Sequence, residues 1–199
     1  MALHPVESVL GTTDLTAFLN EVTTFVVASG LPLEGYEIDH ACYRCETKAQ
    51  YKNVCTTIVG NNIGSVLIES MIGGRPITII QFQHPILYKE WSIPCLEITC
   101  PKPGRSHKHG FEHIEVVIDP ENQHGFTHSQ SFLNGFASRY STVQFDTKAI
   151  NKDVNADLSL TTPEGYSVKF HARPIYEVCA YELASGHHEA IPIGYFEET

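Results

Sequence analysis

The sequence predicts an α+β fold of two β-α-β-β-β modules in tandem, preceded by an N-terminal helix. Three observations predict it. A period-2 strand pattern opens on a histidine twice, in Ile38-Asp-His-Ala-Cys-Tyr-Arg44 and in Gly110-Phe-Glu-His-Ile-Glu-Val-Val-Ile118. Each opening is followed by a helix-period segment and then by three short strand patterns. The two copies stand on the order of 70 residues apart, a spacing suited to a duplicated supersecondary unit. The order of elements repeats, whereas residue identity between the halves is weak.

Residues 13–29 carry Leu15, Phe18, Leu19, Val22, Phe25 and Val26 at helical spacing, with Thr12 or Thr13 as cap and Gly30 and Pro32 as terminators. Residues 37–45 read as a strand whose face holds Ile38, His40, Cys42 and Arg44. A helix follows over 47–59, capped by Thr47. Strands at 65–71 and 75–84 are joined by a Gly73-Gly74 hairpin turn. A further strand at 91–99 puts Ile93, Cys95, Glu97 and Thr99 on one face, and Pro94 places it near an edge or a bulge. The second half repeats the order. It has a strand at 111–118, a helix within 122–140 (Phe126, Phe132, Leu133, Phe136), and strands at 141–146, 156–161 and 166–172. Ser167, Lys169 and His171 share one face of the last strand. Residues 174–183 suit a short terminal helix. The expected organisation is a single domain over 1–199: a helical segment 1–36, modules 37–104 and 110–174, and a C-terminal segment 175–199.

The formal net charge of −10 argues against nucleic acid and acidic lipid headgroups as partners. No secretory signal opens the chain, and no apolar run approaches the ~20 residues of a membrane span, so a soluble cytoplasmic protein is expected. The six cysteines are then expected as reduced, buried thiols. Cys42-x-x-Cys45 lies on a strand, where residues three apart face opposite sides, and no second such pair completes a zinc knuckle.

His113 and Glu115 point the same way from one strand, roughly 7 Å apart, an arrangement suited to a metal or acid/base site. His40 begins the first module as His113 begins the second. His107 and His109 lie in a short basic linker and read as exposed loop residues. No nucleophile elbow, glycine fingerprint or His-Glu-x-x-His helix is present. A nucleophilic Cys42 or Cys95 ranks low, because an apolar setting raises a thiol's pKa.

The paired module order resembles the vicinal oxygen chelate superfamily, which includes glyoxalase and extradiol dioxygenases. Within it the chain is similar to the YecM family of metal-binding proteins. The pieces that carry the resemblance are Asp39-His-Ala-Cys-Tyr-Arg44, Gly73-Gly-Arg-Pro-Ile77, Leu96-Glu97 before Pro101, Gly110-Phe-Glu-His-Ile-Glu115 and Val168-Lys-Phe-His171. The resemblance implies a cup-shaped mixed sheet with metal ligands on the first and last strands of each module. Carried over residue by residue, it implies His40, Glu97 and His113. The fourth position falls on Lys169, a poor ligand while protonated, so either His171 substitutes or the protein supplies three ligands.

Two imidazoles and a carboxylate with open positions suit Fe(II), Zn, Ni, Co or Mn. Glu115 is then a general base, a partner orienting an imidazole, or a ligand in its own right. Arg44 and Lys169 would hold an anionic group of a small-molecule substrate, with hydrogen bonds from Gln81 and Gln83. The implied function is divalent-metal binding, with isomerase, lyase or dioxygenase chemistry on a small oxygen-bearing molecule. The alternatives are a non-catalytic small-molecule or metal-binding module and a metal-free interaction scaffold.

Overall fold

The computed structural model describes residues 3–105, 108–119, 121, 123–124 and 129–197. His107, assigned to the linker, and Phe126, assigned to the second-module helix, lie outside the described residues. The elements are α1 (Pro5–Leu10), α2 (Leu15–Ala28), β1 (Glu37–Arg44), α3 (Lys48–Gly60), β2 (Gly64–Ile72), β3 (Arg75–Tyr88), β4 (Trp91–Thr99), β5 (Gly110–Val117), α4 (Gln130–Arg139), β6 (Asp157–Thr161), β7 (Ser167–His171) and α5 (Ile175–Ser185). The strands form one open sheet of seven in the order β2-β3-β4-β1-β5-β7-β6. The modules meet where β1 and β5 pair antiparallel. Flanking that seam, β1 pairs parallel with β4 and β5 parallel with β7. The first and last strands of both modules thus lie side by side at the centre of the sheet.

One face of the sheet carries most of the core. Ala41, Tyr43, Leu96, Ile98, Ile114, Val116, Val168 and Phe170 point into it, joined by Phe18, Leu19 and Val22 of α2 and by Tyr51, Val54 and Ile58 of α3. The apolar stripe on α2 therefore serves packing. Thr47 caps α3 as expected, its side chain accepting the Gln50 N–H at 3.0 Å. The opposite face is covered on the first-module side by α5. Its Ile175, Val178 and Cys179 pack on Ile68, Ile77, Ile79 and Cys95. What remains of that face between α5 and β6 holds the polar residues discussed below.

Several expectations need correction. The segment 141–146 forms no strand; only Asp146 bridges to Ser159, so among the described residues the second module contributes β5, β7 and β6 alone. Val143 is buried and Phe145 packs beside Phe136 and Phe170, so the segment reaches the core as an irregular edge and only its last residue joins the ladder. The second-module helix begins at Gln130 within the broader segment proposed for it. Neither Thr12 nor Thr13 caps α2. Asp14 occupies the cap position, and Thr12 instead accepts the Asp14 N–H. Helix α1 escaped the periodicity reading because it is six residues long and capped by His4, which shares a capping box with Glu7.

Two strand faces also differ from simple alternation. Ile38 belongs to the helix-side core rather than to the face of His40, because the β1–β5 register shifts between Ile38 and His40. Ile93 likewise packs in the helix-side core while Cys95 faces α5, and the β3–β4 register shifts between those positions. Pro94 sits at that irregularity. A strand interior to the sheet tolerates a proline where the ladder is already broken. Gly73 and Gly74, both with positive φ, make the tight β2–β3 turn as expected.

Candidate metal centre

The registers of the central strands align two rungs across the sheet. One runs Cys95, His40, Glu115, Lys169; the next runs Glu97, Cys42, His113, Ser167. Side chains on neighbouring rungs of one face stand within reach of each other. The result is a cluster in which His40, Glu97, His113 and Glu115 each offer one ligand atom, all within 4.8 Å of one another. His113 Nε2 lies 3.4 Å from Glu115 Oε1 and 3.9 Å from Glu97 Oε1, and His40 Nε2 lies 3.6 Å from Glu115 Oε1. The cluster is secluded: His40 is fully buried, and His113 and Glu115 nearly so.

His171 stands one rung further on, paired with Val117, and is not among these four. Its Nδ1 bonds Asn155 Oδ1 at 2.8 Å, and its Nε2 lies 3.4 Å from Asp39. Lys169 enters the cluster itself, donating to Glu115 Oε1 at 2.6 Å with its Nζ 3.0 Å from His113 Nε2. Arg44 lies two residues beyond Cys42 along β1 and is ion-paired with Glu112. Gln81 and Gln83 are exposed, and no side-chain hydrogen bond joins them to this network among the described residues. His109 is exposed. Cys42 donates its S–H to Glu97 Oε1 at 3.2 Å, and burial together with Glu97 and Glu112 pushes its pKa well up. A neutral, carboxylate-bound thiol is a poor nucleophile. All six cysteines are free.

The electrostatics are those of interlocked opposite charges. Burial alone would lower the pKa of His40, but the Asp39 and Glu115 carboxylates raise it to about 10. Burial pushes Glu115 up, yet Lys169 and His40 hold it well below the usual carboxylate range. Glu97 is held down in the same way, chiefly by His113 and Lys169. Burial disfavours the Lys169 ammonium, but Glu115 and Glu97 outweigh that and keep it charged. For chelator-treated protein the sign follows from linkage. The folded pKa of His40 exceeds its ordinary 6.5, so its contribution to stability is fully present below about 6.5 and is lost as pH rises through about 10. The stability gap between the native sequence and a His40→Gln variant in chelator is expected to shrink across that window, by up to about 5 kcal/mol. Denaturant titrations at each end measure it, and a gap independent of pH counts against the assignment.

The donor set fits a divalent cation. His40 Nε2 is buried without a hydrogen-bond partner, while its Nδ1 is held by Asp39 Oδ1 at 3.0 Å. A ligating imidazole is commonly held in this way, with one nitrogen fixed by a carboxylate and the other free. Two imidazoles with two carboxylates suit Fe(II), Mn, Co, Ni or Zn. Sequence reasoning assigned no role to Asp39. By strand alternation its side chain belongs on the opposite face from His40, and only the register shift beside it brings the two together.

Modules joined at β1 and β5, with histidines and carboxylates gathered on the seam, define a paired-module α+β protein with a candidate metal centre. The family model described as YecM protein matches residues 10–182, and the chain belongs to that family. Protein YecM of Escherichia coli (strain K12) is 25% identical over 175 residues, covering 86% of this chain and 92% of that protein. An uncharacterized protein of Haemophilus influenzae is 27% identical over 105 residues, 53% of this chain and 54% of its own length. A solved structure described as "Structural Genomics, Protein EC4020" superposes with a TM-score of 0.69 at 24% identity, covering 92% of this chain and 98% of that one, which supports the fold. Among the described residues, no helix is long and apolar enough to cross a membrane.

Proposed function

We propose that this protein binds one divalent metal ion through His40, Glu97, His113 and Glu115 and uses it to bind a small oxygen-bearing molecule. The observation that carries the reading is the convergence of these four donors on adjacent rungs of the seam, with His40 Nε2 unpartnered. A bound divalent ion would act as a Lewis acid toward ligand oxygens and lower the pKa of bound water. The chain's own residues would do the rest. Asp39 holds the proton on His40 Nδ1. Cys42 donates to Glu97 and restrains that carboxylate. Lys169, which now bridges Glu115 and His113, becomes available to an anionic group of the ligand once Glu115 is engaged elsewhere. Arg44 is a second cation on the same face. Isomerase, lyase or dioxygenase chemistry is the catalytic form of this reading.

The test is metal analysis of the purified protein, followed by titration of chelator-treated protein with Fe(II), Mn(II), Co(II), Ni(II) and Zn(II). One equivalent bound per chain is expected. Because His40 holds a proton at neutral pH in the metal-free cluster, binding should release it, and calorimetry in buffers of different ionisation enthalpy will register that release. Absence of stoichiometric binding by any of the five ions defeats the reading.

The position of Lys169 favours a second reading. Its ammonium already lies where it neutralises Glu115 and contacts His113. A cluster compensated by its own lysine is a metal-free polar core, and the protein would then be an interaction scaffold. The same titration separates the two readings.

A further inference from the structure

We propose that Asp39 is a positioning residue: it locks the His40 ring with Nε2 toward the cluster and ties that ring to the start of α5. The inference rests on the metal-binding reading above. It comes from geometry in the strand. The β1–β5 register runs Ile38↔Val116 and then His40↔Glu115, so Asp39 is an extra residue with no partner on β5. A bulge of this kind re-aims the side chain it carries. Here it brings the Asp39 carboxylate round to the face of its neighbour, where Oδ1 meets His40 Nδ1 at 3.0 Å. Without the bulge the two side chains would point to opposite faces.

Each carboxylate oxygen has its own task. Oδ1 receives His40 and stands 3.4 Å from His171 Nε2. Oδ2 accepts the backbone N–H of Ile175 at 2.6 Å, the first residue of α5. A helix's first N–H groups have no partner within the helix, so this bond satisfies one of them. The whole assembly is out of reach of bulk solvent, since Asp39, His40 and His171 are fully buried. With its Nδ1–H held by Asp39, a His40 ring that binds a metal ion does so through Nε2, the nitrogen left unpartnered in the cluster.

The experiment titrates Co(II) into chelator-treated full-length protein and follows its visible absorption. Asp39→Asn is expected to retain one site per chain and to weaken Co(II) binding by roughly 10- to 100-fold. Ile175→Pro is the companion variant. It deletes the N–H bonded to Oδ2 at a first helical position, where proline is accepted, and leaves the carboxylate in place. It is expected to lower Tm while Co(II) affinity stays within about threefold of the native sequence. If Ile175→Pro weakens Co(II) as much as Asp39→Asn does, or if Asp39→Asn binds as tightly as the native protein, the positioning role is overturned and the metal site stands. If the native protein binds no Co(II) and none of the other ions, the site itself falls and this assignment with it. Should Asp39→Asn fail to fold, the ring nitrogen-15 shifts of zinc-loaded native protein decide. A His40 protonated at Nδ1 is expected, and a His40 protonated at Nε2 overturns the proposal.

Discussion

A His40→Ala, His113→Ala double variant is expected to lose stoichiometric metal, with affinity reduced by on the order of a thousandfold or more. Partners that only orient a ligand are worth roughly 10–100-fold each, and here two ligands are removed outright. The two histidines stand on different strands and different modules, so no single local rearrangement replaces both. What remains is Glu97 and Glu115 beside the Lys169 ammonium, a set that pairs with itself and offers little to a divalent ion. Metal content after gel filtration, together with titration against a competing chelator, measures the effect. Far-ultraviolet circular dichroism establishes that the variant keeps its sheet. A folded double variant that retains one tightly bound ion would place the metal elsewhere.

The sequence made the architecture legible because the fold is written in local patterns. Strand alternation, the Thr47 cap and the Gly73-Gly74 turn each act over a few residues, and the duplicated order located β1 and β5 as equivalent strands. From equivalence, a shared position for His40 and His113 follows. The parts that stayed hidden depend on register. A bulge has no residue signature of its own, so the turn of Asp39 toward His40 and the transfer of Ile38 to the helix-side core were not readable. The expected strand at 141–146 is instead an irregular edge segment: Val143 and Phe145 reach the core, and only Asp146 joins the ladder. Register also sets where Glu115 and His171 stand relative to His40. Both lie on the correct face, but Glu115 pairs with His40 across the seam, whereas His171 is displaced one rung and bonds Asn155.

Replacing Lys169 with methionine is expected to push the metal-free and metal-bound proteins in opposite directions. Methionine keeps much of the length of the side chain and removes the charge. In the metal-free protein Glu115, 5% exposed, then loses its closest cation. Breaking a buried pair from one side costs about 3–5 kcal/mol. The Lys169 side chain is 27% exposed, so solvent screening trims the expected loss to about 2–3 kcal/mol. For a chain of this length that is a fall in Tm of roughly 4–12 °C. With metal the sign reverses. An ammonium 3.0 Å from His113 Nε2 and 2.6 Å from Glu115 Oε1 repels any divalent ion approaching those atoms. Removing that repulsion is expected to tighten binding by at least about tenfold, a modest share of the interaction between close charges at a protein-like dielectric. The variant should therefore be less stable than the native protein in chelator and regain most of the loss on adding one equivalent of metal, as scanning calorimetry in the two conditions will record. A destabilisation that no metal ion relieves would mean that Lys169 is the cluster's permanent cation, and the site would then be a self-compensated polar core.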